Sequence, residues 1–333
     1  MVFLVSAAVF FGTALLTALA TWKIIGLLRQ WSVLDLPNPR SSHDIPTPRG
    51  GGLAVVTVVL IFWIALAMLT MEDTQRALSL SVAGGAFVLA IVSWIDDLKG
   101  LSPVIRLVAQ YMVVSFILVL ASASQLTFQG LVPLWLDKIL TVILWVWFIN
   151  VFNFMDGIDG IAGVETISIG LGITILAGTL GWPPLMQSQA LVLAGAAAGF
   201  LWWNWHPAKV FLGDAGSVPL GFLLGWLLLS LAGNGIWAPA VILPLYYLVD
   251  ATLTLLERLG RGDKIWEAHR CHYYQQAIQK GFSHDHVARS IFIGNIMLVG
   301  FAVTSTHAPI TGFIGAAAVI FVMLLYFKHN PRR

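Results

Sequence analysis

The chain has 333 residues, of which 58% are hydrophobic and only 10% charged. A soluble domain carries about a quarter charged residues to keep its surface hydrated, so this composition excludes one, and a net charge of +2 gives no basis for nucleic-acid binding. The single cysteine, Cys271, excludes an internal disulfide and any multi-cysteine metal centre.

Apolar runs recur from end to end, and about 20 residues suffice to cross roughly 30 Å of hydrocarbon. They predict spans at 3–28, 52–70, 78–95, 105–122, 136–155, 160–180, 188–204, 217–233, 238–256, 288–306 and 309–327. Such runs are too long for barrel strands, whereas helices satisfy their own backbone hydrogen bonds in lipid. The expected fold is therefore all-α: one polytopic membrane domain over 1–333, with about eleven spans, or ten. The first apolar run has no basic residue before it, and Lys23 and Arg29 follow it. This reverses a signal peptide and predicts a retained helix with a periplasmic N-terminus and a cytoplasmic C-terminus. In that orientation every Lys and Arg except Arg76 and Lys138 lies on the cytoplasmic side, as the positive-inside rule requires.

The connections expected inside are 31–52, 96–104, 156–160, 205–216 and 257–290, and they hold most of the polar chemistry. The first runs from Asp35 through His43 and Arg49 to Gly50-Gly51-Gly52. Its prolines stop helix continuation, and its glycines let backbone N–H groups approach an anion; a proline-rich linker fits equally well. The second holds Asp96-Asp97, an acidic pair suited to Mg²⁺ beside phosphates or to a base, or else a simple helix-end turn.

Asn150, Asn153, Asp156 and Asp159 follow at every third residue, so a continuous helix would place them on one face. Gly157, Gly160 and Gly163 thin the backbone beside them. Small residues also serve plain helix packing, but packing needs no carboxylates. Farther on, Asn204 precedes Phe211-Leu-Gly213-Asp214-Ala-Gly216-Ser217. A Gly-Asp-x-Gly-Ser helix start offers an acid and free N–H groups to a diphosphate, with Ser217 as an alternative N-cap. The last inner connection carries His269, Arg270, His272, Tyr273 and Tyr274, donors for phosphate oxygens. A zinc site of His269, Cys271 and His272 lacks recognised spacing. His284 and His286 are expected to be solvated; Glu165 and Asp250, carboxylates inside the expected spans, are second-tier functional candidates that lie within about two turns of the inner face, near enough to be solvated.

Taken in order, Pro-Thr-Pro-Arg49-Gly-Gly, Asp96-Asp97, Asn153-Phe-Met-Asp156-Gly-Ile-Asp159-Gly, Asn204, Phe211-Leu-Gly-Asp214-Ala-Gly-Ser and the His-bearing last loop resemble the polyprenyl-phosphate N-acetylhexosamine-1-phosphate transferases. That family includes the initiators of O-antigen synthesis and the phospho-MurNAc-pentapeptide transferase. The resemblance implies a metal site of Asn153 and Asp214 for Mg²⁺ or Mn²⁺, and uracil stacked on Phe211. It implies donor binding by Asp156 and Asn204 and a diphosphate contact from His272. Asp96 or Asp97 would serve the lipid phosphate. Asp159 joins the catalytic set, and His43, Arg49, His269 and Arg270 the substrate-binding set.

The implied partners are a UDP-sugar, undecaprenyl phosphate and the bilayer of a bacterial inner membrane, with room for a homodimer. The peptidoglycan enzyme carries lysine where His43 stands, and its lysine after the Asp pair is one position displaced from Lys99. Members of the family carry two or three adjacent histidines in the last loop, whereas here Tyr273 and Tyr274 follow His272. These departures favour the O-antigen-initiating branch and its UDP-N-acetylated hexoses or 6-deoxyhexoses. The rival expectation, a lipid-sugar flippase, would place broken helices and charges near the bilayer midplane, often in inverted repeats.

Overall fold

The computed structural model describes residues 2–37, 45–70, 72–121, 126–182, 184–264 and 269–329. Helices dominate them. In chain order these are α1 (Val2–Gln30), α2 (Gly52–Thr70), α3 (Asp73–Lys99), α4 (Pro103–Leu120), α5 (Leu134–Phe154), α6 (Ile161–Thr179) and α7 (Pro184–Asn204). They continue as α8 (Asp214–Gly233), α9 (Trp237–Ile242), α10 (Leu245–Gly260), α11 (Tyr273–Gln279), α12 (His284–Ser305) and α13 (Pro309–His329). Two short strands, β1 (Leu34–Asp35) and β2 (Thr47–Pro48), pair antiparallel and close the first connection on itself.

Ten of these helices are long and apolar enough to cross a membrane. The expected span at 238–256 is present but broken: α9 stops at Ile242 and α10 begins at Leu245, after Leu243-Pro244. Proline supplies no N–H and disfavours helical backbone in the residue before it, which accounts for the interruption.

α8 is the axis of the bundle. It packs against α2, α3, α5, α6, α7 and α9, and every residue from Ala215 to Gly225 is buried along it. Its small residues set the spacing, as is usual where helices pack in lipid. A Cβ on Gly225 would lie 2.7 Å from the Trp145 ring of α5. Trp145 in turn stacks on Phe222 and donates its indole N–H to the Phe222 carbonyl at 2.9 Å, which keeps that buried donor paired. The periphery is apolar as well: Leu69, Val119 and Ile310 are 83, 82 and 76% exposed. A surface of that kind suits hydrocarbon rather than water.

A close backbone approach joins α2 to α8. A Cβ on Gly52 would fall 2.2 Å from the Gly216 Cα, and one on Gly216 would fall 2.6 Å from the Gly52 Cα. The two helices therefore begin in backbone contact. That contact draws the first connection onto the segment before α8 and founds the polar end of the bundle.

Candidate active site

The strand-like segment Thr47–Gly52 lies along Phe211-Leu212. Phe211 N–H donates to the Pro48 carbonyl at 2.8 Å, and the Phe211 carbonyl accepts from Gly50 and Gly51 at 3.2 and 2.9 Å. Gly52 N–H donates to the Leu212 carbonyl at 2.8 Å. All three glycine amides are thus used within the fold. The expectation that they would meet an anionic ligand is corrected: their role is to let two segments touch and to fix the Phe211 backbone, leaving its half-buried ring to be presented by the loop.

The start of α8 is corrected in the same way. Gly213 takes φ +73°, a left-handed conformation natural to glycine, and a Cβ there would lie 2.8 Å from Asp97 Oδ2. The N–H groups of Asp214 and Ala215 donate to the two Asp97 oxygens at 3.2 and 3.0 Å. Those of Gly216 and Ser217 turn back to the Gly213 carbonyl at 3.0 Å each. Asp97, from the end of α3, therefore caps α8 from outside, where the sequence suggested a free cradle for diphosphate. Gly213 rather than Ser217 is the N-cap.

Two arginines tie this corner together. Arg49 lies 2.8 Å from Asp97 and 3.0 Å from Asp214, and Arg106 lies 3.0 Å from Asp96 and 3.4 Å from Asp214. The Asp97 side chain is wholly buried and that of Asp96 is 9% exposed, whereas both arginines are more than a third exposed. Burial would lower the Arg49 pKa, but Asp97, Asp214 and Asp35 outweigh it and raise the guanidinium above its ordinary value. Asp96 also accepts the Leu101 N–H, so it ends α3 as well as pairing Arg106. Sequence reasoning missed Arg106 as a site residue, because nothing local to a basic residue at a helix start reveals a carboxylate 108 positions away.

The evenly spaced Asn and Asp residues do not share one helix face. α5 ends at Phe154, so Asn150 and Asn153 are helical while Asp156 and Asp159 lie in the connection to α6. Asn150 turns to Gln110 at 2.6 Å. Asn153 donates its amide N–H to Ser217 Oγ at 2.8 Å, which leaves its carbonyl oxygen for a ligand. Asp156 is half-buried. Loss of hydration pushes its carboxyl up to about 7; neighbouring Asp214 adds to the shift and Arg49 opposes it. Asn153, Asp156 and Asp214 are hard oxygen donors, the set that Mg²⁺ takes, and a cation would relieve the repulsion between the two carboxylates.

Asn204 holds two connections in register, accepting from Gly160 N–H and donating to the Val210 carbonyl, both at 2.9 Å. Asp159 is buried between two imidazoles: His206 Nδ1 at 2.6 Å and His284 Nδ1 at 3.3 Å. Burial would raise its pKa, but the adjacent His284 and His206 imidazoles and the Ala208 N–H hold it below the usual carboxylate value. His284 is therefore buried and not solvated, and His286 bonds the Tyr326 hydroxyl at 2.7 Å.

In the last connection Asp250 organises the start of α11. It accepts from the N–H groups of Tyr273 and Tyr274 at 3.0 and 3.3 Å and lies 3.2 Å from His272 Nδ1. His272 is buried and stacks against Tyr274, whose hydroxyl donates to the Phe154 carbonyl at 3.2 Å. This brings the last connection to the end of α5. His269 and Arg270 are half-buried beside it, and burial with neighbouring His272 and Arg258 lowers the His269 imidazole to about 4. Asp250 and Glu165, the second-tier candidates placed near enough to the inner face for solvation, are both fully buried, and Glu165 takes an amide hydrogen bond from Asn295 at 2.7 Å. His43 lies outside the described residues.

Five connections far apart in sequence thus meet at one end of the bundle, linked by ion pairs and hydrogen bonds. This is a polytopic helical membrane protein with one polar, charge-paired face. Residues 79–232 match the model of glycosyl transferase family 4. It is 28% identical over 264 residues to the probable undecaprenyl-phosphate N-acetylglucosaminyl 1-phosphate transferase of Bacillus subtilis (strain 168), covering 75% of this chain and 70% of the relative. It is 27% identical over 288 residues to the decaprenyl-phosphate N-acetylglucosaminephosphotransferase of Mycolicibacterium smegmatis, with the same two coverages. A shorter stretch of 93 residues, 28% of this chain and 29% of the relative, is 44% identical to the phospho-N-acetylmuramoyl-pentapeptide-transferase of Moorella thermoacetica.

Proposed function

We propose that the chain transfers an N-acetylated hexose- or 6-deoxyhexose-1-phosphate from a UDP-sugar to undecaprenyl phosphate. The products are undecaprenyl-diphosphate-sugar and UMP, and the step initiates O-antigen or a related polysaccharide. The observation that carries this reading is the Arg49–Asp214–Arg106 corner with Asn153 and Asp156 beside it. It combines oxygen donors for a cation with guanidinium groups for phosphate, which a diphosphate donor and a phosphate acceptor both need. The acceptor names of the relatives support the lipid substrate.

In this reading an oxygen of the lipid phosphate attacks the donor's β-phosphorus, the bond from that phosphorus to the bridging oxygen breaks, and UMP leaves. The acceptor is already an anionic nucleophile, so one displacement suffices. Arg49 and Arg106 orient phosphate groups. Phe211 stacks on uracil, Asn204 keeps the Phe211 segment against the Gly160 turn, and His272 with His269, Arg270 and His43 meets the diphosphate from the last and first connections. Asp96 takes the acceptor side; Asp97 holds α8 and Arg49 in place. Asn153 and Asp214, with Asp156 adjacent, would hold Mg²⁺, or Mn²⁺ in its stead. Such an ion supplies positive charge against the diphosphate and the leaving phosphate.

The basic residues near this face orient it to the cytoplasm of a bacterial inner membrane. The deciding experiment is UMP release by purified protein with undecaprenyl phosphate, Mg²⁺ and a panel of UDP-N-acetyl sugars, with and without EDTA. Metal-dependent UMP release with one donor bears the reading out. An intact donor throughout, from folded protein, overturns it in favour of lipid-sugar transport.

A further inference from the structure

Asp159, His206 and His284 come from three separate elements: the α5–α6 connection, the α7–α8 connection and the first residue of α12. One ligand atom from each lies within 4.8 Å of the other two. His206 Nδ1 is 2.6 Å from Asp159 Oδ2, and the two rings are 5.0 Å apart. His284 Nδ1 is 3.3 Å from Asp159 Oδ1 and also 3.3 Å from the Asp159 N–H, which it accepts. That second contact places a lone pair on the nitrogen. A lone pair then faces a carboxylate oxygen, two acceptors turned toward one another, and such a pair needs a cation or a shared proton to be stable.

The ligand chemistry selects the ion. Mg²⁺ takes oxygen ligands and keeps much of its water, whereas two imidazoles and one carboxylate suit zinc-class ions. Ligand bonds of about 2.0–2.2 Å put tetrahedral ligand atoms about 3.3 Å apart, the separation already present between His284 and Asp159, while His206 at 2.6 Å would move outward to admit an ion. Asp159 and His284 are buried, while the His206 side chain is 38% exposed and opens the cluster to solvent. A neighbouring cation, Arg289, lies over the Trp205 ring at 5.7 Å and is paired with Asp285 at 3.4 Å, so its charge is partly offset.

We propose that Asp159, His206 and His284 form a transition-metal site for a zinc-class divalent ion, distinct from the oxygen-donor group around Asp214. Three protein ligands leave a fourth position for water or a further ligand. Occupancy would staple together the connections that carry Asp156, Phe211 and the end of the last loop. The inference does not depend on the transfer reaction, since it is read by binding alone.

The test is Zn²⁺ binding to EDTA-stripped, full-length protein in detergent with excess Mg²⁺ and no sugar donor, by titration calorimetry and by metal content after gel filtration. The expected result is about one Zn²⁺ per chain, with affinity reduced about tenfold or more in His206→Gln and His284→Gln and unchanged in Cys271→Ser. If buried His284→Gln fails to fold, the exposed His206→Gln decides. A chain that retains no Zn²⁺, a His206→Gln variant that binds as the parent does, or a loss confined to Cys271→Ser would each overturn the site.

Discussion

Asp97, the last acid of α3, closes the N-terminus of the helix that Asp214 opens, accepting its N–H at 3.2 Å and sharing Arg49 with it. One fully buried carboxylate therefore serves as a helix cap, an ion-pair partner and the spacer between two acids. Removing it leaves two α8 amides and half of an arginine's charge without partners. Leaving a buried donor unsatisfied costs about 1–3 kcal/mol, so Asp97→Ala should lower the melting temperature in detergent by several degrees as well as abolish turnover. An inactive variant with parental melting would instead make Asp97 a group of the reaction only.

Asp214→Asn should behave differently. Its side chain is 16% exposed at the rim of the corner, and the amide keeps the shape while giving up the charge that the proposed Mg²⁺ site needs. Turnover is expected to fall on the order of a thousandfold, as when a preorganised charge is lost from a reaction site, with melting little changed. Near-parental UMP release would remove Asp214 from the metal.

Phe211 has its backbone fixed on both sides by Pro48, Gly50 and Gly51, so Phe211→Ala removes the ring without moving the chain. Stacking of a base on an aromatic contributes about 1–3 kcal/mol. The donor KM should rise about tenfold or more, with kcat little affected. A donor KM equal to the parent's would place uracil elsewhere.

Gly52 and Gly84 provide a paired test of packing. A Cβ on Gly52 meets the α8 backbone, whereas one on Gly84 meets nothing within 4 Å. Gly52→Ala should cost about 1–3 kcal/mol through overpacking and shift both the Arg49 and Phe211 segments; Gly84→Ala should be silent. Equal melting of the two variants would contradict the backbone contact.

His269 makes stability fall with acid. Its imidazole is held down to about 4 by burial, with His272 and Arg258 adding to the effect, against about 6.5 when unfolded. Between those values the unfolded chain binds a proton that the folded chain refuses, so stability is full above about pH 6.5 and declines toward pH 4. Melting temperature followed across this range should slope less in His269→Gln. An identical slope in the variant would assign the acid sensitivity to other groups.

The spans were legible because hydrocarbon demands long apolar helices, and the chain supplies them without interruption except at Leu243-Pro244. Motif order was legible too, down to the turn residues that bring Asp96, Asp214 and Asn153 near one another. What the sequence could not reveal was the destination of each hydrogen bond. Gly50 to Gly52 and the start of α8 both offer amides to an anion in principle. Asp97 and the Phe211-Leu212 carbonyls take them first, a competition settled only when distant segments meet. Arg106, His206 and His284 were overlooked for the same reason: each acquires its meaning from a carboxylate on another element.

The 117-residue separation between Asp97 and the helix start it caps has a consequence for biosynthesis. Chains grow at about 5–20 residues a second, so roughly 6–23 s pass between the emergence of the carboxylate and that of its amides. Throughout that interval Arg49 has Asp97 and Asp35 for acidic partners but not Asp214. The polar corner is thus assembled late, when α8 arrives and supplies Asp214, Gly216 and the two amides together.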